Sequence, residues 1–256
     1  MANTVFNNKV IEAKAKDLLT TGVNTRSLMT VDNSLAENAG MTKTINVYTY
    51  SGIAEELGVG QGNTSRGAIT YTGKDYTVKL VQQPFDYQDE DFMKDPLVVD
   101  YGVKGATEVM TNKMAADFFT ECGKATLKVT APIGYDAIVD AISEINVEDE
   151  SKLFVVIPNA WKADLRKDED YKTARMGEVI YNGQVGTIAG IPVIATKAIE
   201  NSAYVMSAEA VKLFMKKDVE VEQDRNPDTR TNSIYLRSAY LVALVDATKI
   251  CKIANA

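Results

Sequence analysis

The segment between Met41 and Val81 constrains the fold more than any other. Thr44–Tyr50, Gly67–Thr72 and Tyr76–Val81 alternate as strands do, with β-branched and aromatic residues at every second place. Gly52, Gly58, Gly60, Gly62, Gly67 and Gly73 put six of the chain's 16 glycines into 22 residues. The pattern predicts a long hairpin with a flexible tip at Gly58, Gly60, Gly62 and Gly67, and a second, tighter turn at Thr72–Asp75. Its strands carry few large aliphatic residues. A lone two-stranded hairpin is marginal in water, so this one is expected to lean on another molecule or domain.

The rest of the chain divides around it. Residues 1–40 read as an arm: Val10, Ile11, Ala15, Leu18 and Leu19 recur at helical spacing behind Asn7-Asn8, and polar, extended chain follows to Gly40. Residues 84–123 read as helical. Gln83–Asp91 is an acidic lead-in and Asp95-Pro96 a helix entry. Val99, Val103, Ala106, Met110, Met114 and Phe118 then form one apolar stripe along the longest helix. Gly102 and Gly105 lie inside it, each costing about 1 kcal/mol relative to Ala. Close packing under the helix is the simpler explanation and a built-in bend point the sharper one.

Residues 131–217 alternate between the two periods. Ile133–Ile145 is an amphipathic helix, Leu153–Ile157 a buried strand, and a helix carrying Trp161 and Leu165 follows Pro158-Asn159. A hairpin turn is expected at Asn182-Gly183, a strand with a sharp break at Thr187–Ile194, another at Ala203–Ser207, and a helix around Val211–Met215. Residues 218–256 return as strands, Val219–Gln223 and Ser233–Asp246, about a turn at Asn226–Arg230. There is no internal repeat and no low-complexity tract, and the whole reads as an α+β protein.

Composition removes most chemistries. Among 256 residues there is no histidine, which excludes Ser/His and Cys/His nucleophile pairs and imidazole-ligated metals. Cys122 and Cys251 are too few and too far apart for a disulfide framework or a thiolate zinc site. A net charge of −7 makes a poor grip on nucleic acid. No apolar run approaches the roughly 20 residues of a membrane span, and Met1–Lys9 lacks a secretory pattern, so a soluble protein made in a cytoplasm is expected.

The remaining motif lookalikes fail on their details. Gly58-Val-Gly60-Gln-Gly62-Asn63 lacks the third glycine of a dinucleotide loop and the helix behind it. Gly67–Asp75 has one residue too many for a phosphate loop, with Asp75 where a metal-binding hydroxyl belongs. Asp89-Glu90-Asp91, with Asp86 and Asp95, is what a helix start attracts without any metal. Lys212, Lys216 and Lys217 read as a solvated helix face. Thirty-five acidic residues always offer carboxylate pairs, and no spacing selects one. No catalytic, cofactor-binding or metal residues are assigned.

The order of parts carries more than any motif. Tyr76–Asp91 runs from the hairpin toward the long helix, Gly186–Ile194 lies in the α/β unit, and Asp224–Arg237 turns between the returning strands. In this order they resemble the major capsid proteins of tailed bacteriophages, the Hong Kong 97-type capsid fold. The resemblance implies an N-terminal arm (1–40), an extended β-hairpin loop (41–83), a peripheral domain with a spine helix (84–130), an axial domain (131–217), and returning strands of the peripheral domain (218–256). It implies copies of the chain as partners in pentamers and hexamers, double-stranded DNA enclosed without sequence-specific binding, a separate scaffolding protein and a portal, and no membrane. The location implied is the virion, assembled in a bacterial cytoplasm. It also suggests a bend at Gly102 and Gly105. Some members join subunits by a Lys–Asn isopeptide bond, and Lys74 with Asn226 or Asn232 has the residue types for one. The alternatives are an encapsulin-like compartment within the same fold and, from another class, a histidine-free carboxylate enzyme.

Overall fold

Three sheets and one long helix account for most of the regular structure in the computed structural model, which describes residues 25–37, 39–169 and 186–255 together with Ile11. In chain order the elements are β1 (Thr30–Asp32), β2 (Thr42–Ser51), β3 (Ala68–Thr77), β4 (Lys79–Gln88), α1 (Asp89–Lys94), α2 (Val98–Cys122), β5 (Leu127–Thr130), α3 (Tyr135–Ile145), β6 (Leu153–Pro158), α4 (Lys162–Lys167), β7 (Thr187–Ile188), β8 (Ile191–Thr196), β9 (Ser202–Ser207), β10 (Val211–Asn226), β11 (Thr231–Leu244) and β12 (Ile250–Ala254). The expected arm helix, apart from Ile11, and the Asn182-Gly183 turn lie outside the described residues. Among those described, no helix is long and apolar enough to cross a membrane.

The apolar stripe of α2 is buried throughout, from Val99 to Phe118. Its two halves serve different sheets. Val99, Val103, Ala106 and Met110 pack with Ile11 and with Val219, Val221, Ile234 and Leu236 of the sheet ordered β1-β10-β11-β4. Met114, Phe118, Phe119 and Cys122 pack with Phe154, Val156, Tyr204 and Met206 of the sheet ordered β5-β12-β9-β6-β8-β7. One continuous helix of 25 residues therefore joins two layers. Phe118 is fully buried at the join, where truncation to Ala costs about 3–5 kcal/mol.

The six-stranded sheet is covered on both faces. Phe154 and Val156 point to α2, while Leu153, Val155 and Ile157 point to Ile138, Ala141, Ile142 and Ile145 of α3. That double cover explains why β6 reads as an unbroken apolar run. The break expected in Thr187–Ile194 is the tight β7–β8 turn, with Ala189 and Gly190 at φ of 50° and 81°.

Three expectations are corrected. Val211–Met215 is the start of the 16-residue strand β10, not a helix. Leu213 and Met215 face α2 while Phe214 faces the hairpin root, and an apolar run buried on both sides has no period to tell strand from helix. Lys212, Lys216 and Lys217 accordingly lie on that strand and not on a helix face. Thr72–Asp75 is not a turn but the middle of β3, where Thr44 Oγ1 donates to Asp75 Oδ1 at 2.6 Å across the ladder and Gly73 stands opposite Asn46. The lead-in Gln83–Gln88 is still strand β4, and the first helix starts only at Asp89. The sequence divisions at 83/84 and 217/218 thus fall inside β4 and β10.

Candidate functional site: the projecting hairpin and its root

Among the described residues, strands β2 and β3 pair with each other and with no third strand. Only the root of this hairpin is seated. Ile45, Tyr76 and Val78 are buried with Leu35, Phe214, Ala239, Leu241 and Ala243. Tyr76 Oη donates to the Leu244 carbonyl at 3.2 Å, the Val78 amide to the Met41 carbonyl at 2.7 Å, and the Lys43 ammonium lies 4.2 Å from the Phe214 ring centre.

Two-residue periodicity then dictates what the outer part shows. Ile45 and Lys43 face the body, so Tyr48 and Tyr50 face away from it. In register, Tyr48 is opposite Tyr71 and Tyr50 opposite Ile69, which puts four large apolar side chains together on the face turned away from the body. Tyr48 and Tyr71 are 66% and 70% exposed, with ring centres 6.1 Å apart. The other face carries Val47, Thr49, Thr70 and Thr72. Gly67 closes the patch: a Cβ there would stand 2.2 Å from Tyr50 Oη.

The tip, residues 52–67, has no regular structure. It holds Gly58, Gly60 and Gly62, of which Gly60 has a φ of 84°. Glu55 crosses it, accepting from the Thr64 amide at 2.7 Å and the Thr64 hydroxyl at 2.6 Å. The Thr64 hydroxyl, and next its amide, hold the Glu55 carboxyl below its usual range. A second exposed apolar stripe starts at Leu97, the residue before α2, and continues on it at helical spacing through Tyr101 and Val109, with Gly105 between these two facing open space. Gly102 is different, because a Cβ there would stand 2.3 Å from the Phe85 ring of β4.

The acidic cluster is engaged within the subunit. Asp89 accepts from Arg225 Nη2 and Asn232 Nδ2, each at 2.7 Å, and Glu90 pairs with Arg230 at 3.0 Å. The Asn232 amide is the first cause, ahead of Arg225, that keeps the Asp89 carboxyl low. These bonds fasten the β10–β11 turn to the start of α1. Asp95 accepts from the Leu97 amide at 2.9 Å. Asn226 accepts from the Asp228 amide at 3.0 Å inside its own turn. Lys74 lies on the hairpin with its ammonium 5.1 Å from the Tyr76 ring centre, so Lys74 and the two asparagines occupy separate parts of one subunit.

Burial pushes the Cys251 thiol up to about 11 and the Cys122 thiol well above its usual range. Neither is a nucleophile in this setting.

One buried charged group escaped the sequence reading. Asp117 sits on the buried face of α2 beside Phe118 and accepts hydrogen bonds from Lys79, Lys113 and Tyr240. An acid within an apolar stripe was the available signal.

No protein-family model matches the chain. A relative from Staphylococcus phage phiMR11, described as a major capsid protein, is 25% identical over 239 residues, covering 89% of this chain and 85% of the relative. Among solved structures, the capsid of cyanophage P-SCSP1u matches with a TM-score of 0.72 at 11% identity, over 90% of this chain and 86% of that one. A virus-like particle from Pyrococcus furiosus matches with a TM-score of 0.68 at 11% identity, over 97% and 100%. The fold is that of these shell proteins.

Proposed function

We propose that this chain, which groups with the major capsid proteins of tailed phages, builds the icosahedral shell of a tailed bacteriophage or prophage, its copies closing as pentamers and hexamers around double-stranded DNA. One observation carries the mechanism. The hairpin's aromatic face points away from the face that seats its root, so only another molecule can bury it. A contact in which one patch of a subunit meets a different patch of the next generates a ring when the rotation between copies closes, and the shell reading requires that it does. The Leu97–Tyr101–Val109 stripe is the apolar seat on the neighbouring copy, with Gly105 leaving room for a ring.

In this reading the sheet β1-β10-β11-β4 with α1 and α2 is the peripheral domain, and the six-stranded sheet with α3 is the axial domain around the ring axis. The role is structural. Gly102 and Gly105 weaken the part of α2 that packs on the four-stranded sheet, which lets the helix bend there in an immature shell. A scaffolding protein and a portal complete the assembly. Asn226 accepts one hydrogen bond through Oδ1 and Asn232 donates one through Nδ2 within the subunit, and in this reading the shell is held without a Lys74–Asn bond. Boiled particles should then run as monomer alone on a denaturing gel.

The test is assembly of Y48S/Y71S. Both side chains are largely exposed, so the isolated subunit should keep its circular dichroism and its melting temperature to within about 2 °C. Negative-stain microscopy should show rings and shells for the parent and neither for the variant. Shells of normal yield from Y48S/Y71S would remove the hairpin face from the mechanism. A second reading, a compartment without a genome, draws on the likeness to the Pyrococcus furiosus particle. Nuclease-protected DNA in particles from producing cells separates the two.

A further inference from the structure

Asp117 belongs to none of the surfaces above. Its side chain is 6% exposed; Oδ1 accepts from Lys79 Nζ at 2.8 Å and from Lys113 Nζ at 3.0 Å, and Oδ2 accepts from Tyr240 Oη at 3.0 Å. Lys79 and Tyr240 are register partners across the β4–β11 ladder, so both donors stand side by side on the sheet face that meets α2. Lys79 is also the first residue of β4. Val78, just before it, is buried in the hairpin root, and Thr77 ends β3. The chain passes from the projecting hairpin to a charged contact with the helix in two residues.

The two lysines look alike and do different things. They donate to the same oxygen and are equally exposed, 50% and 52%. Lys113 lies one turn before Asp117 on α2, so its bond ties the helix to itself. Lys79 ties the helix to the hairpin.

We propose that Lys79, Asp117 and Tyr240 form a mechanical latch that sets the angle between the hairpin and α2, so that bending of the helix is passed to the hairpin of the same subunit. This rests on the shell reading, in which the hairpin angle decides how neighbouring copies meet. A buried carboxylate on the helix that takes donors from two strands suits that task, because the helix and the sheet cannot move apart without stripping donors from a desolvated charge.

The comparison of Lys79→Met with Lys113→Met tests it. Each removes one ammonium from the same carboxylate oxygen, so an interaction that merely stabilises the fold predicts equal effects. The latch predicts that hydrogen exchange of root amides Thr42–Val47 in soluble subunits quickens at least fivefold in K79M and stays at the parent rate in K113M. Lys79→Arg, which keeps the charge and the donor, should restore slow exchange. In assembly, K79M should lower the yield of closed shells of parental diameter at least fivefold, with K113M near the parent. Equal exchange in the two Met variants, whether slow or fast, overturns the latch. Because exchange is read on unassembled protein, a parent that forms no shells defeats the shell reading separately.

Discussion

At the scale of single residues, two glycines one helical turn apart have opposite surroundings. Gly105 faces open space, so Gly105→Ala should stabilise the isolated subunit by roughly 1 kcal/mol through helix propensity alone. Gly102 lies under Phe85, and a methyl group there forces the ring to shift. Overpacking of that kind costs about 1–3 kcal/mol, which cancels or exceeds the propensity gain, so Gly102→Ala should be neutral to destabilising. Thermal melting of the pair checks both signs. Asp117 adds a pH prediction. Burial acts to raise its carboxyl, but the hydrogen bonds from Lys79, Lys113 and Tyr240 outweigh it and hold the group below its ordinary value of 3.8. A carboxyl lowered in the folded state contributes stability that is fully present above the unfolded value. That contribution is lost as pH falls through the lower native value. Between pH 5 and 8 the difference in stability between parent and Asp117→Asn should therefore stay constant. It should shrink only below about pH 4, and denaturant melts across that range measure it.

At the scale of elements, the hairpin is the least self-sufficient part. Beyond its root the strands have only each other, and a free two-stranded ribbon opens readily. Amides of Tyr48–Ser51 and Ala68–Tyr71 should exchange quickly in soluble subunits and become protected by at least a hundredfold in shells. Those of β6 and β9, covered on both faces, should be slow in both states. If the hairpin amides exchange alike before and after assembly, its aromatic face is not an interface. The sequence showed the hairpin because glycines and alternating strands are local signals. It placed a turn at Thr72–Asp75 because Gly-Lys-Asp is a turn former in isolation. The cross-strand bond from Thr44 to Asp75 overrides that preference. The same holds for Val211–Met215, where burial from two sides erased the period that separates strand from helix.

At the scale of the whole molecule, a subunit with net charge −7 has little to hold phosphate, and in the proposed shell its exposed apolar side chains meet copies of itself. Empty shells should bind double-stranded DNA no more tightly than Kd of about 10⁻⁴ M at physiological salt, measured by filter retention. Association of copies should raise the melting temperature in a concentration-dependent way.

The amino-acid sequence by itself determined the absence of imidazole chemistry, the glycine-rich hairpin, the stripe along α2 and the order of parts that resembles a capsid subunit. Each of these is a matter of composition or of local period. Tertiary structure alone decided that Tyr48, Tyr50, Ile69 and Tyr71 share the uncovered face, that Gly102 is packed and Gly105 open, and that Lys79, Asp117 and Tyr240 meet. Those depend on strand register and on which face of a sheet a helix covers, and both are set by contacts between residues far apart in the chain.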